Sequence, residues 1–589
     1  MNNPYFSLIR TAWKYSGNDK LKFILVYVLF IMDNATVAMT PLLYGWLINC
    51  LQNPNLEHVR YALMYAVGYM VLKIIEWMFH GPGRVMEHHL AFQISRNFLA
   101  DLNHRVLHMP LKWQQENHSG AIINRIQKSY RALRDFLEYN SVCTAALTKF
   151  LFAVIAIVIY SPLFGSICVV LGIFSVWITT NLDKPYVASV KAVNEREHLV
   201  NSALFDSVSN INTVVTLRLQ TRMEQHLFKK ISDIHSHFMR GIRIFELKWG
   251  IADILVSVIY LVILVGYIFQ NWQPGQPFMI GGLVALLGFV MQFTGVFQSI
   301  AGYYGMVLKY KTDVQTSDNI LEGYDLQALP HRAEFKKDWA SISVSDLNFT
   351  YQQENRKEQI SGVHGMSFKI EKGKRIALIG RSGSGKTTLM ALLRGLHEPD
   401  SPNTLLVDNG DHMPLQTLAS EVTLFPQEPE IFENTIEYNI TLGLPTDQQL
   451  LIDACEAAQF MDVVRRLPSG FQSKINEKGV NLSGGEKQRL ALARGIVAAE
   501  NSTVILMDEP TSSVDSETEI RIYRSLFQKF RNKSIISSLH RLYLLRNFDY
   551  VYILDRGRIV DHGTYGRLKS ESSVFQELYR HQEATIQPA

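Results

Sequence analysis

The sequence predicts an α-helical membrane domain of six transmembrane helices joined to an α/β domain built around a phosphate-binding loop. Three observations predict it. Apolar stretches of spanning length recur through residues 1–308, the loops between them carry a one-sided charge bias, and three phosphate-handling motifs follow one another in residues 341–589. At 589 residues the chain exceeds the size at which one core stops growing, so at least two domains are expected.

The apolar stretches lie at about residues 21–48, 59–80, 137–160, 162–182, 250–270 and 278–305, each compatible with the roughly 20 residues of a membrane helix. Their loops set the expected topology. Leu51 to Glu57 carries no Lys or Arg, and Ser161-Pro162 and Asn271 to Pro277 carry no charge. Arg10, Lys14, Lys20 and Lys22 lead into the first stretch, and Arg84 to Arg134 and Lys184 to Lys248 are rich in cations. The positive-inside rule gives six spans of a multi-pass membrane protein with both termini and the α/β domain cytoplasmic; a bacterial inner or plasma membrane is the expected location. The long internal segments read as helices continuing into the cytosol, with short helices near Trp113 to Ile122 and Asn210 to Leu217. Residues 309–340, polar and containing Pro330, are expected as the linker.

Composition excludes some classes. A net charge of +4 from dispersed residues gives no argument for a nucleic-acid partner. Cys50, Cys143, Cys168 and Cys455 are far apart and read as free thiols. The start, Met1-Asn-Asn-Pro-Tyr, lacks a signal-peptide pattern, so the first apolar stretch is expected to stay. The Gly-rich last span reads as close helix packing, and Trp46, Tyr160 and Trp272 as interfacial anchors. His104 with His108, and Glu87-His88-His89, lack a third ligand at a recognised spacing and read as a solvated helix face.

The first motif is Gly380, Arg381, Ser382, Gly383, Ser384, Gly385, Lys386 and Thr387, with Thr388 behind it. It follows the apolar run Ile376 to Ile379 and precedes the helix-favouring Leu389 to Leu393, the strand-loop-helix setting of a phosphate loop. The glycines let backbone N–H groups close on a phosphate, Lys386 neutralises its charge, and Thr387 offers a hydroxyl to Mg2+. The run Val504 to Met507 reads as a buried parallel strand ending in Asp508, placed to hold Mg2+, and Glu509, placed to polarise water. Between them, Ser483, Gly484 and Gly485 open a helix with Glu486, forming a second anion site.

With that element the C-terminal part resembles an ATP-binding cassette (ABC) nucleotide-binding domain, and the whole chain resembles an exporter-type half-transporter. The resemblance implies ATP and Mg2+ as cofactors, with each ATP held between one domain's phosphate loop and the signature serine, Ser483, of a partner. It implies Tyr351 for adenine stacking, Gln427 for the Q-loop and a metal contact, Asp515 for the D-loop and His540 for the switch histidine. Two positions depart from the common pattern: Ser512-Ser-Val-Asp replaces Ser-Ala-Leu-Asp, and Glu486 stands where Gln is frequent. A lone Tyr or His in a mixed domain is usually packing, but the ordered set is not.

The function this implies is ATP-driven export of an amphipathic drug, lipid or peptide by a homodimer that alternates access. The alternatives are an ATP-gated channel or regulatory ABC protein, and a soluble ABC ATPase of the repair type, which would lack the spans. An importer would carry its membrane part on a separate chain. Asp33, Asn34, Lys73, Glu76 and Lys149 lie inside predicted spans, where ionisable groups are expensive. They are candidate substrate contacts, against internal pairing such as Lys73 with Glu76 at i, i+3.

Overall fold

The computed structural model describes residues 3–52, 55–110, 113–114, 117, 119–274, 278–327, 335, 338–351, 362–401, 404–408, 410–475 and 482–586. The chain divides into two compact units, residues 1–108 with 117–326, and residues 109–116 with 327–589.

The first unit is all helix. Helix α1 (Pro4–Tyr15) starts on an Asn3 side-chain cap with proline at its first position. The first predicted span is two helices, α2 (Lys20–Ala38) and α3 (Thr40–Gln52). The break falls just ahead of Pro41, which has no N–H to continue the ladder. There follow α4 (Leu56–Leu107), α5 (Ser119–Glu138), α6 (Asn140–Tyr160), α7 (Pro162–Ser209), α8 (Ile211–Thr216), α9 (Gln220–Asn271), α10 (Ile280–Gln315) and α11 (Asp318–Gln327).

Among the described residues five helical stretches are long and apolar enough to cross a membrane, and the fourth predicted span falls on α7, whose apolar stretch is Pro162–Ser175. Helices α4 and α9 each have 52 residues. At 1.5 Å per residue that is more than twice the roughly 30 Å of a bilayer core, so both continue beyond it. Helix α8 lies where the second short helix is expected, and Met109–Glu116, at the first such place, belongs to the second compact unit. Part of the expected linker is helical, because α10 runs to Gln315 and α11 follows, with Tyr310, Val314 and Ile320 buried. Pro330 lies outside the described residues.

Glycine brings α3 and α10 together. A Cβ on Gly281 would stand 2.1 Å from Gly45 O, and one on Gly288 2.7 Å from Pro41 Cβ. Gln52 ties the same pair, its amide donating to Phe278 O at 3.0 Å and accepting from Ile280 N at 3.1 Å.

The second unit carries two sheets. Strands β1 (Ser341–Thr350), β2 (Gly362–Glu371), β4 (Thr404–Val407) and β5 (Asp411–Pro414) form an antiparallel sheet in the order β2-β1-β4-β5. Strands β3 (Arg375–Ile379), β6 (Val422–Phe425), β7 (Val504–Asp508), β8 (Ser534–Ser538), β9 (Tyr550–Asp555) and β10 (Arg558–Gly563) form the other, ordered β10-β9-β3-β8-β7-β6. All neighbours there are parallel except β10 with β9. Every residue of β7 and β8 is buried, as expected of parallel strands covered on both faces. Alternation sends Ile505, Met507 and Ile535 into one core and Val504, Leu506 and Ile536 into the other.

This order places the site. The loop after β3 and the acids closing β7 stand two strand spacings apart, roughly 10 Å, with the end of β8 between them. Helices α12 (Lys386–Leu393), α13 (Gly484–Ala498), α14 (Ser516–Lys529) and α15 (Ser573–Ile586) complete the frame used below.

Candidate active site

The loop between β3 and α12 is shaped by glycine. Gly383 and Gly385 adopt positive φ of 78° and 103°, which a side chain would resist. Gly380 has φ 153°, and a Cβ there would stand 2.2 Å from Leu554 O. Lys386, 5% exposed at the start of α12, donates its ammonium to Gly380 O at 2.9 Å and Arg381 O at 3.2 Å. Burial lowers its pKa, while the carboxylates of Glu509 and Asp508 work against that shift. Ser384 Oγ is buried with no hydrogen-bond partner among the described residues, and Ser382 and Thr387 are exposed. A cradle of glycines, a cation held by carbonyls and a buried hydroxyl with no partner among the described residues fit the phosphates of a nucleotide.

The acids meet their partners at the strand ends. Asp508 is buried and its Oδ1 accepts from Ser538 Oγ at 2.7 Å. Glu509 N donates to the same hydroxyl at 2.9 Å, so Ser538 ties both acids to the end of β8. Glu509 sits in the left-handed region at φ 47°, a strained conformation for a residue with a side chain. Its Oε2 accepts from Gln427 Nε2 at 2.9 Å, and its Oε1 lies 2.6 Å from His540 Nε2. Residues 82 and 31 positions away in sequence thus flank one carboxylate.

Tyr351 stands beside α12, its hydroxyl 3.3 Å from Thr388 Oγ1. Its ring is 38% exposed and edge-on to Phe349 at 4.9 Å and to His397 at 5.5 Å. His397 in turn stacks on Phe349 at 5.0 Å, and burial lowers its pKa. Arg381 pairs with Glu577 of α15 at 2.8 Å.

Ser483 caps α13: its Oγ accepts from Glu486 N at 3.3 Å, and Glu486 Oε2 accepts from Ser483 N at 2.8 Å. One acceptor position of the serine oxygen is therefore used on its own helix, and its O–H remains to donate. Partial burial works to raise the Glu486 carboxyl, but the Ser483 N–H and the Arg466 guanidinium outweigh it and hold the pKa below the usual carboxylate value. Gly484 and Gly485 face Ser513, with a Cβ on Gly485 3.0 Å from Ser513 O. Asp515 caps α14 by accepting from Thr518 N at 2.9 Å, which lowers its pKa.

The structure gathers the phosphate loop, both acids, Gln427, His540 and Tyr351 in one unit. Sequence reasoning misses the links between motifs. Gln488 of α13 donates to Ser512 Oγ at 2.7 Å and accepts from Ser513 N at 2.8 Å, and the contacts of Ser538 and His397 have no signal in the motifs. In the helical unit, Lys73 pairs with Glu76 at 2.5 Å, the i, i+3 pairing expected from their spacing. Asp33, 5% exposed, lies 3.0 Å from His80 Nδ1, and its Oδ1 is buried with no partner among the described residues. Asn34 donates to Phe30 O at 2.7 Å, and Lys149 is half-buried.

A membrane bundle followed by this phosphate site defines a transporter ATPase. Residues 23–304 match the ABC transporter transmembrane region family and residues 363–512 the ABC transporter family. The multidrug resistance-like ATP-binding protein MdlB of Buchnera aphidicola is 23% identical, over 98% of this chain and 98% of its own. The β-(1→2)glucan export ATP-binding/permease protein NdvA of Agrobacterium vitis is 26% identical over 97% of each. The structure of a bacterial Atm1-family ABC exporter with ATP bound has the same fold, with a TM-score of 0.84 and 20% identity over 96% of this chain and 98% of that one. The chain belongs to the ABC transporter family, as an exporter half-transporter: an integral multi-pass membrane protein that binds ATP and couples its hydrolysis to export.

Proposed function

We propose that two copies of this chain form a homodimer with two composite ATP sites, each joining the phosphate loop of one copy to Ser483 of the other. The observation that carries the reading is Glu509, held at the end of a central strand between Gln427 and His540. In this scheme Lys386 and the loop N–H groups of residues 380 to 388 bind phosphate, and Tyr351 stacks on adenine. Thr387, Asp508 and Gln427 would hold Mg2+, which when bound neutralises phosphate charge. Glu509 orients water and accepts its proton, while His540 steadies that carboxylate. Ser483 donates its hydroxyl to the partner-held phosphate, and Gly484, Gly485 and Asp515 line the same junction. Gln427 senses the phosphate and passes its state toward the membrane helices.

The substrate of this scheme is an amphipathic drug, lipid or peptide moved outward across a bacterial inner or plasma membrane, both termini being cytoplasmic. The loop charge bias supports that orientation. Relatives named for multidrug resistance and for glucan export support an exported molecule but not one chemistry. Of the intramembrane candidates, Asp33 has an oxygen without a partner among the described residues, whereas Lys73 and Glu76 pair with one another.

Mixing chains tests the split sites. A heterodimer of Lys386→Ala with Ser483→Arg carries both lesions in one composite site and none in the other. It is expected to hydrolyse ATP where neither mutant homodimer does. Normal hydrolysis by each single-mutant homodimer rejects the shared sites.

A further inference from the structure

Glu519, in the first turns of α14, is 4% exposed and belongs to none of the motifs. A buried carboxylate is costly unless its oxygens are fully engaged. Here three side chains donate to it: Thr511 to Oε1, and Arg541 (NH1, 2.9 Å) and Tyr543 to Oε2. All three donors come from the two segments that carry the reacting groups. Thr511 is two residues beyond Glu509, Arg541 directly follows His540, and Tyr543 lies two residues further on. Arg541 NH1 also donates to Val514 O at 3.0 Å, just before Asp515. One carboxylate therefore joins the chain leaving β7, the chain leaving β8 and the start of α14.

We propose that Glu519 is a positioning residue for hydrolysis: by fixing the backbone beside Glu509 and beside His540, it holds the histidine against the catalytic carboxylate. The proposal rests on the roles of Glu509 and His540 given above and adds a residue that acts through them. The 2.6 Å contact between His540 and Glu509 spans two loops, and a displacement of about 1 Å at such a contact can cost about 10²-fold in rate. In Glu519→Gln, one acceptor oxygen becomes an N–H donor. A hydroxyl facing that N–H must then reverse from donor to acceptor or lose its partner, and the Arg541 charge loses its counterion.

The test is ATP hydrolysis by the full chain in lipid nanodiscs, comparing Glu519→Gln, His540→Ala and the double variant. Glu519→Gln is expected to lower kcat about tenfold or more with ATP KM within about twofold, and the double variant to be no slower than His540→Ala alone. If Glu519→Gln costs the same factor with and without His540, or changes only melting temperature, the residue merely stabilises the fold and the proposal is overturned. Should Glu519→Gln fail to fold, Tyr543→Phe removes one donor without a change of charge. It is expected to slow kcat by about two- to fivefold in the presence of His540 and not in its absence; no slowing, or slowing in both backgrounds, overturns the proposal. A slow His540→Ala beside normal Glu519→Gln and Tyr543→Phe rejects the proposal alone. A normal His540→Ala rejects the assigned role of His540 and the proposal with it.

Discussion

Each unit of the molecule holds a carboxylate against a histidine, and the two pairs are built differently. In the cassette, His540 Nε2 lies 2.6 Å from Glu509, whose other oxygen takes the Gln427 amide. In the helical unit, His80 Nδ1 lies 3.0 Å from Asp33, whose other oxygen is buried without a partner among the described residues. Glu509 is presented from a strand end in a left-handed conformation, and its neighbours arrive on separate loops. Asp33 sits on regular helix in the C-terminal part of α2, facing α4. A strand end concentrates groups from several segments on one carboxylate, which suits bond-breaking chemistry. A helix side can offer only what the neighbouring helix places opposite, which leaves a polar atom unsatisfied.

Removing the two charges therefore has very different expected consequences. Glu509→Gln is expected to lower ATP turnover by at least about 10²-fold, because the amide accepts no proton from the attacking water. Binding survives, since Lys386 and Asp508 are untouched, and the purified variant is expected to trap ATP in a closed dimer. Single-turnover hydrolysis and nucleotide retention measure both. Near wild-type turnover would place the chemistry elsewhere.

A smaller effect is expected where the cassette uses packing instead of charge. His397 stacks on Phe349 and meets Tyr351 edge-on, and aromatic pairs of this kind contribute about 0.5–1.5 kcal/mol. His397→Ala is therefore expected to raise the ATP KM by about two- to tenfold with kcat unchanged, and His397→Phe to restore it. Titration with a fluorescent ATP analogue separates the two variants. An unchanged KM in His397→Ala would make the ring cluster ordinary core.

The cassette was legible because phosphate chemistry dictates spacing. A glycine loop must follow a strand and open a helix, and Asp508 must close a buried one, so the motifs announce their own geometry. What sequence reasoning lacks is the wiring across motifs. Ser538 bridges two acids from 29 or 30 residues away, and Gln488 holds the loop at Ser512 and Ser513. Neither contact has a local pattern. In the helical unit the spans were legible from length and polarity, and Lys73 with Glu76 from the helical repeat. The division of the first span had a signal in Pro41 that apolar length concealed. His80, 47 residues from Asp33 and on another helix, had none.

The finest distinction lies within the helical unit, between an acid that is satisfied and one that is not. Glu76 is bound to Lys73 one turn away, a pairing that contributes about 0.2–0.5 kcal/mol on a helix surface. Glu76→Gln is therefore expected to leave both basal and stimulated ATPase within about twofold. Asp33 has no such neighbour on α2, and its Oδ1 has no partner among the described residues; lining a cavity, it would favour a substrate bearing a positive or hydrogen-bonding group beside apolar bulk. With tetraphenylphosphonium as a lipophilic cation probe, Asp33→Asn is expected to lose most of the stimulation while basal ATPase stays within about twofold, because the change keeps the shape of the side chain and leaves the cassette intact. Equal stimulation in wild type and Asp33→Asn would return Asp33 to a packing role with His80. Loss of folded Asp33→Asn protein, read from its elution in detergent, would show that the pair holds α2 to α4 and that recognition lies elsewhere.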